Sequence, residues 1–348
     1  MAKIDWDKNW GVVGHQAAVS FLQTSIKNNR VASAYLIYGA PHLGRQKICS
    51  GFIAALLCLN LSDGRPCGAC LNCQQVEKGI HPDVLTLNRL RDPKTDKLNK
   101  NIKIDDLREF KDRLSRSSFL NSYQIALIPE AELLSVESAN AALKLLEEPG
   151  RQVVLILLAA NIDNLPSTIL SRCQKLKLEP VSREAIYDYL VTLGAERGLA
   201  DELSYLALGR PGVAISYFRE PETLSDYKDR AAKFLDLIGA GNRERFLAAA
   251  EMGEDEEGVI ARSLSVLADL EIWASIVRDA LLIRHSQEEI PPGLCNLWLL
   301  DRLKTAKIAT VDSGKLRHWL GLIETTRRLL SQNVNPQLAL ENLLLNLV

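Results

Sequence analysis

Residues 34–46 read AYLIYGAPHLGRQ: an apolar run, Ala34–Tyr38, a loop bounded by Gly39 and Gly44, then Arg45 and Gln46 opening a helical pattern. A short apolar run closed by a glycine turn reads as a buried strand, and a strand feeding such a turn into a helix is the building unit of a parallel sheet. G-x4-G in that context is also the frame of a phosphate-binding loop, where main-chain amides and the helix N-terminus face an anion. The frame has lost its chemistry. Where such loops carry lysine and a magnesium-binding hydroxyl, this chain has Arg45 and Gln46. Arginine keeps the charge but not the compact ammonium, and Gln46 offers a metal only an amide oxygen.

Outward from that loop, four more apolar runs read as strands: Val84–Leu87, Gln124–Ile128, Val153–Leu158 and Lys175–Leu178. Helical patterns alternate with them at Gln16–Lys27, Gln46–Leu57, Asp105–Leu114 and Ala139–Glu147. The alternation predicts a parallel α/β sheet with helices on both faces. The run Gln124–Ile128 leads into Pro129-Glu130-Ala131-Glu132, so proline stands where a magnesium-organising carboxylate would follow the strand. Lysine, hydroxyl and carboxylate all serve one phosphate–magnesium cluster, and their joint loss removes hydrolysis while leaving the scaffold.

Beyond Val181 the strand pattern stops. Residues 182–219 hold two or three short helices, Arg219–Leu224 reads as a hinge, and the chain is helical from Tyr227 onward, broken at Glu251–Gly258 and Ser286–Gly293. Asn335 and Pro336 mark the last helix as its N-cap and first residue. Three blocks are therefore expected: a parallel-sheet block up to about Val181, a block of short helices and a long helical block. Polar Asn88–Asn101 reads as a loop, and Arg89–Arg116 as a solvated face rather than a nucleic-acid patch.

The 348 residues are 47% hydrophobic and 24% charged, enough apolar material for real cores and against wholesale disorder. With 42 basic and 43 acidic side chains, the chain cannot coat DNA by global positive charge. The longest apolar run, Val153–Ala160, is too short to span a membrane, and the first residues lack the order of a signal peptide, so a cytoplasmic protein is expected.

Of 7 cysteines, Cys58, Cys67, Cys70 and Cys73 form C-x8-C-x2-C-x2-C. Two-residue spacing lets a tight turn aim two sulfurs at one point, and Ser62, Asp63, Gly64 and Pro66 allow the longer spacer to return Cys58 to them. Disulfides would fit a reducing compartment poorly, and inert core thiols do not cluster at this spacing. Structural zinc is the expectation, with no open position for a reactive water. Cys49 and Cys173 read as buried, unreactive thiols.

Several longer segments carry a family likeness: Gly14-His15-Gln16, Ser33–Leu36, His81-Pro82-Asp83, Ile102–Arg108, Ala139–Pro149 with its LEEP ending, Thr168–Cys173 with its SRC ending, and Asn335–Glu341. Together with the cysteine spacing they resemble the AAA+ clamp-loader subunits of bacterial DNA polymerase III, and the broken phosphate loop resembles the delta-prime branch in particular. Gly212 agrees, standing where hydrolysing relatives carry a sensor arginine. The resemblance implies that 1–180 is a nucleotide-binding-like AAA+ domain with a zinc insertion at 58–73, 181–220 a small helical lid and 225–348 a helical collar that joins a pentameric ring with gamma/tau and delta subunits. It implies that Arg172 acts in trans as an arginine finger on a neighbour's ATP during loading of a sliding clamp onto primer-template DNA. It leaves Gly39, Gly44 and Arg45 as a degenerate nucleotide site, with ATP and magnesium not expected there. Two other readings stand beside it: an ATP-hydrolysing gamma/tau-like motor, and a zinc-bearing nucleic-acid-binding relative.

Overall fold

A computed structural model describes residues 9–91, 98–115, 123–150, 152–252, 259–332 and 334–347. Parts of three sequence features, 92–97, Arg116 and 253–258, lie outside them. The chain divides into two compact units, Met1–Ala185 with Arg210–Gly212, and Ile186–Gly209 with Val213–Val348.

The first unit runs α1 (Gln16–Lys27), β1 (Ala34–Tyr38), α2 (Arg45–Leu57), α3 (Leu71–Glu77), β2 (Val84–Thr86), α4 (Ile104–Leu114), β3 (Gln124–Ile128), α5 (Val136–Glu147), β4 (Val153–Ala159), α6 (Ser167–Leu170) and β5 (Gln174–Lys177). The five strands form one sheet in the order β2-β3-β4-β1-β5, with every pairing parallel. β4 is buried along its whole length, which is why its sequence is continuously apolar rather than alternating.

Strand periodicity sorts the core into two layers. Tyr35, Ile37, Val154, Ile156 and Leu158 point to the face packed by α1 and α2, with Val19, Leu22, Ile48 and Phe52. Ala34, Leu36, Leu155, Leu157 and Ala159 point to the other, with Leu107 and Phe110 of α4 and Leu145 of α5. In this order β1 leaves toward β2 and β4 leaves toward β5, so the crevice at their carboxyl ends is the topological switch point where ligands of such sheets bind. The loop after β1 opens into it.

The second unit is helical: α7 (Arg183–Thr192), α8 (Arg197–Leu206), α9 (Pro211–Arg219), α10 (Pro221–Gly239), α11 (Asn242–Glu251), α12 (Val259–His285), α13 (Leu300–Thr305), α14 (Ser313–Ser331) and α15 (Pro336–Asn346), with the first residues of α7 and α9 belonging to the first unit. Arg219–Leu224 is not a hinge loop. Only Glu220 separates α9 from α10, because Pro221 has the backbone angle of a first helical residue and starts the next helix at once. Phe234 and Trp273 stack at 4.7 Å inside this core. Arg245, 5% exposed, spends its guanidinium on the carbonyls of Leu237, Ile238 and Leu344, which end α10 and α15. The Asn335 side chain caps α15 through the Gln337 and Leu338 amides, as its sequence predicts.

Candidate functional site

The loop Gly39–Gly44 is held from outside through its carbonyls and its ends. The Gly39 amide donates to Ala159 O at 3.2 Å, tying the end of β1 to the end of β4. A Cβ on Gly39 would sit 2.5 Å from Leu178 O, so only glycine fits. The His15 ring donates through Nε2 to Leu43 O at 2.9 Å, and burial lowers the pKa of that imidazole. The Gly212 amide donates to His42 O at 2.9 Å, and a Cβ on Gly212 would meet that same oxygen at 2.9 Å. Any side chain at 212 would therefore have to shift the loop's own backbone.

The side chains around the loop are engaged within the chain or turned to solvent. Gln46 is exposed at the start of α2. Glu130, the carboxylate left beside Pro129, is gripped by Arg89 through Nε at 2.7 Å and Nη2 at 2.8 Å. A bidentate guanidinium pair is a strong, oriented contact, so Glu130 is committed elsewhere. The expectation of a solvated Arg89 is therefore corrected: it is half-buried and reaches across from the β2 side to the β3 side. Glu132 accepts the Ala160 amide at 2.7 Å through Oε1. Burial lowers the Arg45 pKa, and the Glu132 carboxylate opposes that shift.

The four cysteines come together. Their sulfurs lie within 4.8 Å of one another. Tetrahedral zinc at about 2.3 Å per thiolate needs sulfurs about 3.8 Å apart, so the donor set fits a metal ion without main-chain rearrangement. Cys58 ends α2, and Cys70 caps α3. Gly64 and Gly68 make the turns with φ near +71° and +66°. Amides support the sulfurs: Cys67 N–H to Cys58 Sγ at 3.2 Å and Cys70 N–H to Cys67 Sγ at 3.3 Å. Burial tends to raise the Cys67 thiol, but amides of Ala69 and Cys70 and the neighbouring thiols hold it down to about 6, while burial pushes Cys73 well up. Cys49, Cys173 and Cys295 are buried away from this group; burial pushes Cys49 up to about 12 and Cys173 up to about 11, leaving both protonated.

Arg172 follows α6 and is paired within the chain. Its Nη2 donates to Glu147 Oε1 at 2.7 Å and its Nη1 to Thr168 O at 3.1 Å, with the side chain 37% exposed. Glu147 belongs to the LEEP segment, so the two signature segments meet. Their local patterns gave no sign of this contact, which depends on β4 bringing the ends of α5 and α6 together. A separate cleft of about 550 Å³ lies between α4 and α5, with Arg108, Lys111 and Lys144 beside Asp112 and Glu137.

Residues 14–182 match the model of the family described as DNA polymerase III, delta subunit. The gamma subunit of DNA polymerase III from Buchnera aphidicola (subspecies Acyrthosiphon pisum) is 30% identical over 179 residues, 51% of this chain and 47% of that protein. The solved Bacillus subtilis DNA clamp loader delta protein superposes with a TM-score of 0.36 and 14% identity, over 94% of this chain and 99% of that one. The DNA polymerase III delta-prime subunit of Bacillus subtilis is 26% identical over 329 residues, 94% of each chain, and that of Pseudomonas aeruginosa 27% over 328 residues, 90% of each. The chain is thus similar to DNA polymerase III subunits of the delta, delta-prime and gamma/tau types. It spans between 26% and 48% of the gamma and tau relatives that head the matches, but nearly the whole of the delta-prime relatives. Among the described residues, no helix is long and apolar enough to cross a membrane.

Proposed function

We propose that this chain is a delta-prime-type subunit that does not hydrolyse ATP and serves the motors beside it. The observation that carries the reading is the fate of the phosphate–magnesium cluster: Pro129 offers no metal ligand, Gln46 only an amide oxygen in place of a hydroxyl, and Glu130 is locked to Arg89. In this reading residues 181–220 are the lid and 225–348 the collar, which joins gamma/tau and delta subunits in a pentameric ring in the cytoplasm. The ring places a sliding clamp on primer-template DNA. The cysteine group holds zinc. When bound, zinc supplies a structural cross-link between the end of α2 and the start of α3.

Arg172 is the residue this chain lends. Facing a neighbour's ATP, its guanidinium exchanges Glu147 for the charge building on the transferred phosphoryl group. The exchange is between two anions on a planar fork, while the Thr168 carbonyl accepts from the other terminal nitrogen. The test is to mix the chain with its cognate gamma/tau and delta subunits. Co-elution as one complex, with no ATP turnover by the lone chain, is expected; turnover by the lone chain, or failure to join the complex, refutes the reading.

One observation favours a second reading, direct nucleic-acid binding: Arg108, Lys111 and Lys144 share the α4–α5 cleft. Asp112 and Glu137 in the same cleft, and the 3.0 Å pair of Arg108 with Asp105, reduce its positive field. Salt-sensitive binding of primed DNA by the isolated chain, lost in Lys144→Ala, would advance it.

A further inference from the structure

Losing the lysine does not by itself remove anion attraction from the phosphate loop, since Arg45 keeps a positive charge at the same helix start. Arg45 Nη1 is buried without a hydrogen-bond partner among the described residues, and so is Glu132 Oε2. The two groups attract each other electrostatically. Glu132 cannot swing away, because its other oxygen is fixed at 2.7 Å to the Ala160 amide at the end of β4. Its carboxylate is thus held beside the crevice at the switch point, next to the helix start where a phosphate would settle.

We infer that Glu132 is the residue that excludes nucleotide from this chain, acting as a built-in anion that neutralises Arg45 and repels an incoming phosphate. This rests on the reading of the chain as a non-hydrolysing subunit and gives that reading a cause distinct from the missing lysine. The electrostatic logic is simple. A phosphate entering the loop loses the net attraction of Arg45 and meets the negative charge that the Ala160 amide holds at the end of β4, in a medium where such terms outweigh those in water. No magnesium can offset the repulsion, because Glu130 is occupied by Arg89.

The experiment measures binding of ATP and of inorganic tripolyphosphate, each without magnesium, to the full chain by calorimetry. The parent is expected to show no saturable binding. Glu132→Gln keeps an acceptor for the Ala160 amide and removes the charge; it is expected to bind tripolyphosphate saturably, at least about tenfold more tightly than the weakest affinity the same titration would have detected for the parent. Adding Arg45→Gln should abolish the gain. Glu132→Ser, which deletes the charge by another route, should gain similarly and covers the case in which Glu132→Gln lowers the melting temperature. A folded Glu132→Gln or Glu132→Ser chain that binds no better than the parent overturns the inference, as does a gain that survives Arg45→Gln. ATP hydrolysis by the parent would instead overturn the non-hydrolysing reading itself, so the two failures are distinguishable.

Discussion

Helix α2 begins at one ligand-holding device and ends at another, about 20 Å apart along its 13 residues. At its start the phosphate loop keeps its glycines, its anchoring amide bonds and its place at the switch point, yet the side chains that would work there are gone or diverted. At its end the cysteine module keeps both its turns and four sulfurs close enough together to hold a metal ion. The contrast separates two things that a motif search treats as one. Main-chain geometry is retained when it supports the sheet, as Gly39 does against Leu178; side-chain chemistry is retained only where something still depends on it. The same unit also carries Arg172, and in the proposed reading what it has given up is the chemistry it would use itself.

The sharpest test of this contrast acts on the retained ligands. Cys70→Ser should abolish the bound metal and unfold the region around α3, because metal binding supplies about 10 kcal/mol in small zinc modules. Elemental analysis and hydrogen exchange over residues 58–77 report it, and a parent chain purified without metal would break the comparison. Next comes the lent chemistry. Arg172→Ala should leave assembly intact and slow the complex's ATP turnover by about 10³–10⁵, the range of arginine fingers; steady-state turnover with primed DNA decides, and an unchanged rate removes the finger.

A smaller effect is expected in the second unit, where the structure keeps a buried charge for packing alone. Arg245→Met should cost about 3 kcal/mol in denaturant unfolding, as three carbonyls lose their donor. The smallest concerns the loop's outer anchor. Gly212→Ala pushes a methyl against His42 O, and overpacking of that kind costs about 1–2 kcal/mol. A chain that tolerates the alanine without a lower melting temperature would show that the loop is freer than its contacts imply.

Much of the first unit is legible in its residues. Gln16–Lys27, Ala34–Tyr38 and Gln124–Ile128 have the bounds their patterns predict, since each pattern is local and ends in a breaker or a turn. The cysteine group is legible for the same reason: its spacing already describes a turn. What stays hidden is pairing across the sheet. Arg89 with Glu130 are 41 residues apart and Arg172 with Glu147 are 25 apart, and their meeting depends on strand order, which no single segment encodes. Glu132 was visible only as one acid among several after Pro129; its role comes from the end of β4, where Ala160 offers an amide. The supposed hinge at Arg219–Leu224 failed for a local reason, proline serving as a helix start rather than a break.

The Arg245 contact has a consequence for the order in which the molecule forms. Its acceptor on Leu344 lies 99 residues further along the chain. Synthesis proceeds from the amino end, so the sheet of the first unit is complete once Lys177 has emerged, while the second core must hold an unpaid cation open until α15 exists. Contacts that distant form slowly. The growing chain therefore presents a finished first unit beside an unfinished helical one, and the apolar faces of α10, α12 and α14 are what a chaperone would meet during that interval.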